Sequence, residues 1–298
     1  MALLVHLIGN TVPGLPKLLV YMIHSDFFAL LADYFLAFVL VFVVFLLASA
    51  VFYAYYHFNA SIDKDKELLF NMSGNTEKPV VRDDLQHLPE LMRRFLLKVG
   101  VMGKCSDCHA IIKQSGHIRK TSQSNWTSFS AKQYMSSRPL GFVWAARSFP
   151  IFIKDKSIEG QGEMNVSFLA FYPMVVQQTS KTDESALVRC LGELLLYPIG
   201  FLNKDISWQS IDDKSVHAKL TQNGISAEGV FHFNNKGLID HFVAKRYRDE
   251  SLESFTGKLE NYQEKSGLLI PTKLRAIWNL KEGDFEYFNC DIVDYRIE

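Results

Sequence analysis

Between Tyr34 and Tyr56 the chain runs for 23 residues without a charge, YFLAFVLVFVVFLLASAVFYAYY. About 20 apolar residues in a helix span the hydrocarbon core of a bilayer. The tyrosines at both ends of the run suit the two interfaces. A core helix is rarely this long and uniform, and a cleaved signal peptide would start earlier and be shorter. The pattern therefore predicts a transmembrane helix over 34–57. Residues 1–33 are also apolar but are broken by Gly9, Pro13, Gly14 and Pro16. They read as an interfacial or re-entrant segment. Residues 58–83 are rich in Asn, Ser, Lys and Asp and read as a polar linker.

The remaining residues, 84–298, read as one β-barrel-like domain. An amphipathic helix is expected first, Leu85 to Gly100, with Leu88, Leu91, Met92, Phe95 and Leu96 on one face. From about residue 101 the period changes to two. Candidate strands cover 116–123, 128–136, 141–147, 150–158, 163–170 and 172–178. They resume at 206–211, 215–222, 226–233, 238–248, 253–262, 270–280 and 284–296. Asn223-Gly224, Ser266-Gly267 and Glu282-Gly283-Asp284 supply hairpin turns. One helix interrupts the series, Ser185 to Pro198, with Thr182 or Asp183 as its cap. The expected class is mainly β: a curved antiparallel sheet or half-open barrel with an internal helix, preceded by the N-terminal transmembrane helix.

Composition narrows the function. The 32 basic and 32 acidic residues balance, which gives no support to nucleic-acid binding. There is no Gly-rich phosphate loop and no Gly-x-Ser-x-Gly elbow, so no catalytic residue is assigned. His217, His232 and His241 lack metal-ligand spacing, and no metal or other cofactor is assigned. Cys105-Ser106-Asp107-Cys108-His109 matches the attachment pattern of a c-type haem. The residues around Cys108 alternate as on a strand, which would send Cys105 and Cys108 to opposite faces. A local turn at Ser106-Asp107 would rescue the geometry; without one, the match is read as a coincidence.

The internal helix carries candidate chemistry. It is nearly all apolar except for Arg189 and Glu193, one turn apart on one face. Charges on such a helix lie inside the domain or at a cavity mouth. They need partners there, and Arg offers a fork suited to a carboxylate or phosphate. Trp144, Trp208, Phe142 and Phe233 fall on predicted strands and complete the expected ligand-binding set with Arg189 and Glu193.

The segments FSAKQY (Phe129–Tyr134), PLGFVWAAR (Pro139–Arg147), GQGEM (Gly160–Met164), LVRCLGELLLYP (Leu187–Pro198), SWQSID (Ser207–Asp212), FHFNNKGLID followed by Arg246, and PTKLRAIWNL (Pro271–Leu280) occur in this order. Together, over roughly residues 85–298, they resemble an uncharacterised bacterial family with a domain of unknown function usually preceded by membrane helices. The Arg189/Glu193 pair matches the pattern of that family, whereas the two cysteines depart from it. The architecture is also similar to the lipoprotein-carrier half-barrels of Gram-negative envelopes. The similarity to carrier folds implies an extracytoplasmic domain on this single-pass chain. The tether, the aromatic-rich barrel and the paired charges on the buried helix point to binding of a hydrophobic, lipid-like ligand, with the bilayer and a membrane lipid or other hydrophobic small molecule as partners. Alternatives are a scaffold with a fully packed barrel, a lipid-modifying enzyme using Glu193, and a haem protein.

Overall fold

The computed structural model describes residues 17–72 and 78–298. The chain divides into two units, one ending at Tyr53 and the other running from Ala54 to Glu298. Helix α1 (Lys17–Asn71) extends through the first and into the second. No glycine or proline occurs between Lys17 and Asn71, so nothing in the backbone chemistry stops it. The side chains of residues 27–53 are all exposed. Among the described residues, α1 alone is long and apolar enough to cross a membrane, by length and composition.

Two sequence expectations change here. The breakers expected to interrupt 1–33 lie outside the described residues, and residues 17–33 are helical. The expected linker 58–83 is helical as far as Asn71, and its residues 73–77 lie outside the described part. Ala54, Ile62, Asp65 and Leu69 recur at helical spacing and are buried. The stretch is thus amphipathic, and it packs on the sheet of the second unit through Phe58, Ile62 and Leu69.

The second unit is built on thirteen antiparallel strands: β1 (His109–Ile118), β2 (Thr127–Ser137), β3 (Leu140–Ser148), β4 (Ile151–Ile158), β5 (Gln161–Phe168), β6 (Tyr172–Gln177), β7 (Ile206–Ser210), β8 (Ser215–Gln222), β9 (Ile225–Phe233), β10 (Ile239–Arg248), β11 (Ser251–Lys265), β12 (Leu268–Leu280) and β13 (Gly283–Ile297). The order across the sheet is β6-β5-β4-β3-β2-β1-β13-β12-β11-β10-β9-β8-β7. Two meanders, β1–β6 and β7–β13, thus join where β1 pairs with β13. Positive φ at Asn223 and Gly224, and at Ser266 and Gly267, makes the tight hairpin turns that their sequences predict. The sheet curls into a half-barrel around helix α3 (Ser180–Glu193), while α2 (Glu90–Val99) ends at Gly100 with φ +84°.

The first strand begins earlier than its sequence expectation, at His109 instead of 116. Its inward set, Ala110, Ile112 and Gln114, is already buried there, and Ala110 is in register with Ile297. Cys105 and Cys108 therefore flank a turn at Ser106-Asp107 and do not sit on a strand. The phase argument against haem falls, although both thiols are free. The internal helix starts earlier too, at Ser180. The Thr179 hydroxyl caps it by accepting from the Thr182 amide at 3.2 Å. Asp183, an expected cap, instead accepts from the Gly162 amide at 2.7 Å. After Glu193 the chain continues as 3-10 turns, Leu194–Leu196 and Pro198–Leu202.

Candidate functional site

Helix α3 lies inside the curl and touches both wings, β3–β5 on one side and β9–β10 on the other. Its seat depends on glycine. A Cβ on Gly162 would stand 2.6 Å from the Thr182 carbonyl oxygen, and one on Gly229 would stand 2.4 Å from the Phe242 ring. Beside α3 a cavity of about 560 Å³ remains, walled by α3, β3–β6 and β10–β13 with Ile118 of β1. Its size falls in the ~300–1,000 Å³ range of small-molecule sites. Ile153, Met164, Val188, Leu259 and Leu274 supply apolar wall.

One end of the cavity carries a polar chain. Arg189 donates from Nη1 to Asp155 Oδ2 at 2.6 Å and from Nε to Glu193 Oε1 at 2.8 Å. Gln133 donates to the other Glu193 oxygen at 2.7 Å. Gln114 donates to Gln133 at 2.7 Å, and the Trp144 indole donates to Gln114 at 2.8 Å. The guanidinium also lies 4.8 Å from the ring centroids of Phe142 and Trp144. Burial opposes the charge on Arg189, but Glu193 and Asp155 outweigh it and hold the group more firmly protonated than usual. Two carboxylates against one cation leave this cluster with a negative formal charge. Both oxygens of Glu193 are engaged, which leaves it poorly placed to act as a catalytic base.

The structure brings together four of the six expected residues. Arg189, Glu193 and Trp144 line the cavity, and Phe142 lies directly beneath Arg189. Trp208 and Phe233 lie elsewhere. Trp208 packs on Phe201 and Phe231, and Phe233 on Phe95. They belong to the aromatic core under α2 and the 3-10 turns, whose side chains fill that part of the curl. Period-two burial cannot distinguish the filled part of a half-barrel from its open part, because both face inward.

The sequence reading missed Arg246 as a site residue. It lies on β10 at the cavity wall, with Ser185, Phe255, Trp278 and Tyr287 around it. Its presence in a recurring segment was visible, but its aromatic surroundings come from β11, β12 and β13. The buried Asp155, which completes the Arg189 pair, was missed as well. His109, the third member of the haem-like motif, is stacked on Phe70 with ring centroids 3.9 Å apart. Among the described residues, no group of three or more His, Cys, Asp or Glu side chains is placed to hold a metal ion.

No curated protein matches the chain. Solved structures with a similar fold include a domain described as an outer membrane lipoprotein-sorting protein from Vibrio parahaemolyticus, 11% identical. That match covers 64% of this chain and 85% of the other, with a TM-score of 0.41. A LolA superfamily protein from Nitrosomonas europaea is 14% identical over 70% of this chain and 93% of its own, with a TM-score of 0.35. A family model matches residues 78–290, which hold the internal helix and all of the curled sheet but the last residues of β13, and the chain belongs to that family, the family of unknown function DUF6544.

Proposed function

We propose that this protein binds a hydrophobic, lipid-like ligand in the cavity beside α3 and does so at a membrane to which α1 anchors it. The cavity itself carries the reading. A scaffold domain would gain by packing its interior completely, yet here an apolar-walled space of about 560 Å³ lies open beside a precisely seated helix. Arg189, Glu193 and Trp144 form the polar end of that space, and Phe142 supports them from below.

The exposed apolar side chains support work at a lipid surface. Phe149 is 81% exposed, Phe171 67% and Tyr172 65%. They sit on or beside the β3–β4 and β5–β6 turns, at one end of the sheet. Tyr55 and Phe58 pack on Phe152 at that same end. Both contacts are made by the first residues of the second unit. Exposed apolar rings gathered at one end of the sheet suit a membrane contact.

Native mass spectrometry of the full chain, released from nanodiscs, tests the cavity. We expect non-covalent lipid masses on the wild type and their loss in Ala276→Trp, which places an indole in the space, with circular dichroism unchanged. A wild type that carries no lipid, even after incubation with lipid extract, would count against the reading.

A further inference from the structure

The polar partners of two of the arginines that line the cavity, Arg189 and Arg246, differ, and the difference points to the chemistry of the ligand. Arg189 is charge-compensated: two carboxylates hold it at 2.6 and 2.8 Å. An anion approaching it would meet a cluster that is already negative. Arg246 stands in a different environment. Its Nε donates to the Ser185 carbonyl and hydroxyl oxygens at 3.1 and 3.0 Å, and its Nη1 to the Tyr287 hydroxyl at 3.2 Å. All three acceptors are neutral. The guanidinium lies 5.5 Å from the Phe255 ring centroid and 5.9 Å from that of Trp278. Glu253 is its register partner across β11, yet no carboxylate among the described residues lies within ion-pair distance of it. Its Nη2 has no hydrogen-bond partner among them either. A half-buried guanidinium held in place by neutral groups, with no carboxylate in ion-pair contact, is preorganised for an incoming oxyanion.

We infer that Arg246 is the head-group site of this cavity and that the ligand is an amphiphile with an oxyanion end, a carboxylate or a phosphate. The inference rests on the hydrophobic-ligand reading above and adds the class of ligand. The anion pairs with Arg246 between α3 and β13, while the tail lies along Leu259 and Leu274, which share the same cavity. Arg248, two residues along β10, lies over Phe285 and also makes no ion pair. The Arg189 cluster then acts as a counter-wall, repelling the head group and setting the orientation of the ligand.

The test uses full-length protein in zwitterionic nanodiscs and two matched probes, a brominated dodecanoic acid and the corresponding brominated alcohol. Bromine quenches the emission of Trp144 and Trp278, which line the cavity. We expect the wild type to bind the acid at least tenfold more tightly than the alcohol, and Arg246→Gln to lower acid affinity to the level of the alcohol. Arg246→Lys should keep part of the preference. Equal binding of acid and alcohol by the wild type overturns the head-group site and needs no variant to do so. A preference that survives Arg246→Gln but vanishes in Arg189→Gln overturns it too. Displacement of the acid by inorganic phosphate alone at comparable concentration would show a free-anion site and overturn the amphiphile. Binding of the alcohol without preference leaves the cavity reading standing. Failure of both probes to quench the wild type removes that reading and this inference with it.

Discussion

Single residues set the tolerances of the cavity. Phe242 is wedged between α3 and β9. A Cβ on Gly192 would stand 2.7 Å from its ring and one on Gly229 2.4 Å. Such contacts cannot form without displacing the ring or the helix. Gly229→Ala should therefore destabilise the domain by about 1–3 kcal/mol, the usual range for overpacking a filled core, read as a fall in thermal midpoint. A midpoint within error of the wild type would mean that α3 is not tightly seated. The sequence exposes these glycines only as interruptions, Gly192 of a helical pattern and Gly229 of a strand pattern. What each one accommodates depends on a ring from another strand. The Arg189/Glu193 pair was legible for the opposite reason, since both partners sit on one helix four residues apart. Asp155, from β4, and Arg246, with walls from three distant strands, were not.

At the scale of elements, the last turns of α1 are clamped to the outside of the sheet by four charges. Lys154 lies 2.8 Å from Asp65 and 3.1 Å from Glu163, and Lys156 lies 2.7 and 3.0 Å from the same two. Lys154 and Asp65 are both only 7% exposed. The sequence Asp63-Lys64-Asp65-Lys66-Glu67 reads as a solvated tether, because charge density alone does not tell which member faces a partner. The helical phase of Ile62, Asp65 and Leu69 carried that information. Burial alone would raise the Glu163 carboxyl, but hydrogen bonds and charge from Lys156 and Lys154 outweigh it and hold it below its ordinary value of 4.5. A depressed acid stabilises the fold above its unfolded value. That contribution is lost as pH falls below about 4.5 and through the folded value. Lys156 is shifted upward. Burial opposes the shift, and Asp65 and Glu163 overcome it. Its contribution is present below the ordinary 10.5 and disappears as pH rises past it. Replacing Asp65 by Asn leaves a surplus of buried positive charge and should cost about 3 kcal/mol. The acid-side loss should also shift, which a pH series of thermal melts would detect. An unchanged melt across the series would remove the clamp.

For the molecule as a whole, the class of fold was readable because hairpin turns and period-two burial are local. Twelve of the thirteen strands fall close to their expected positions, and the exception, β1, is the one whose register is fixed by the far end of the chain. Strand order was not readable. The pairing of β1 with β13 unites residues 187 positions apart, Ala110 with Ile297, and no local pattern announces it. The same is true of the division of the interior into a filled part and an open part. Removing residues 283–297 should leave two meanders without a seam. We expect loss of cooperative unfolding and rapid proteolysis of the β-domain, checked by calorimetry and limited trypsin digestion. A sharp transition in the truncated chain would show that the wings are independent.

That seam also has a consequence in time. Strands β1–β6 leave the ribosome early, and the partner that flanks β1 is the last of the thirteen to be made. Until then the inner edge of the first meander stays open, with its unpaired backbone groups on offer to any other strand. Throughout that interval the nascent domain is held at a membrane surface by α1, if the anchor works as proposed. A chain waiting so long for its closing strand depends on protection during synthesis, and its yield should respond to translation speed more than its final stability would indicate.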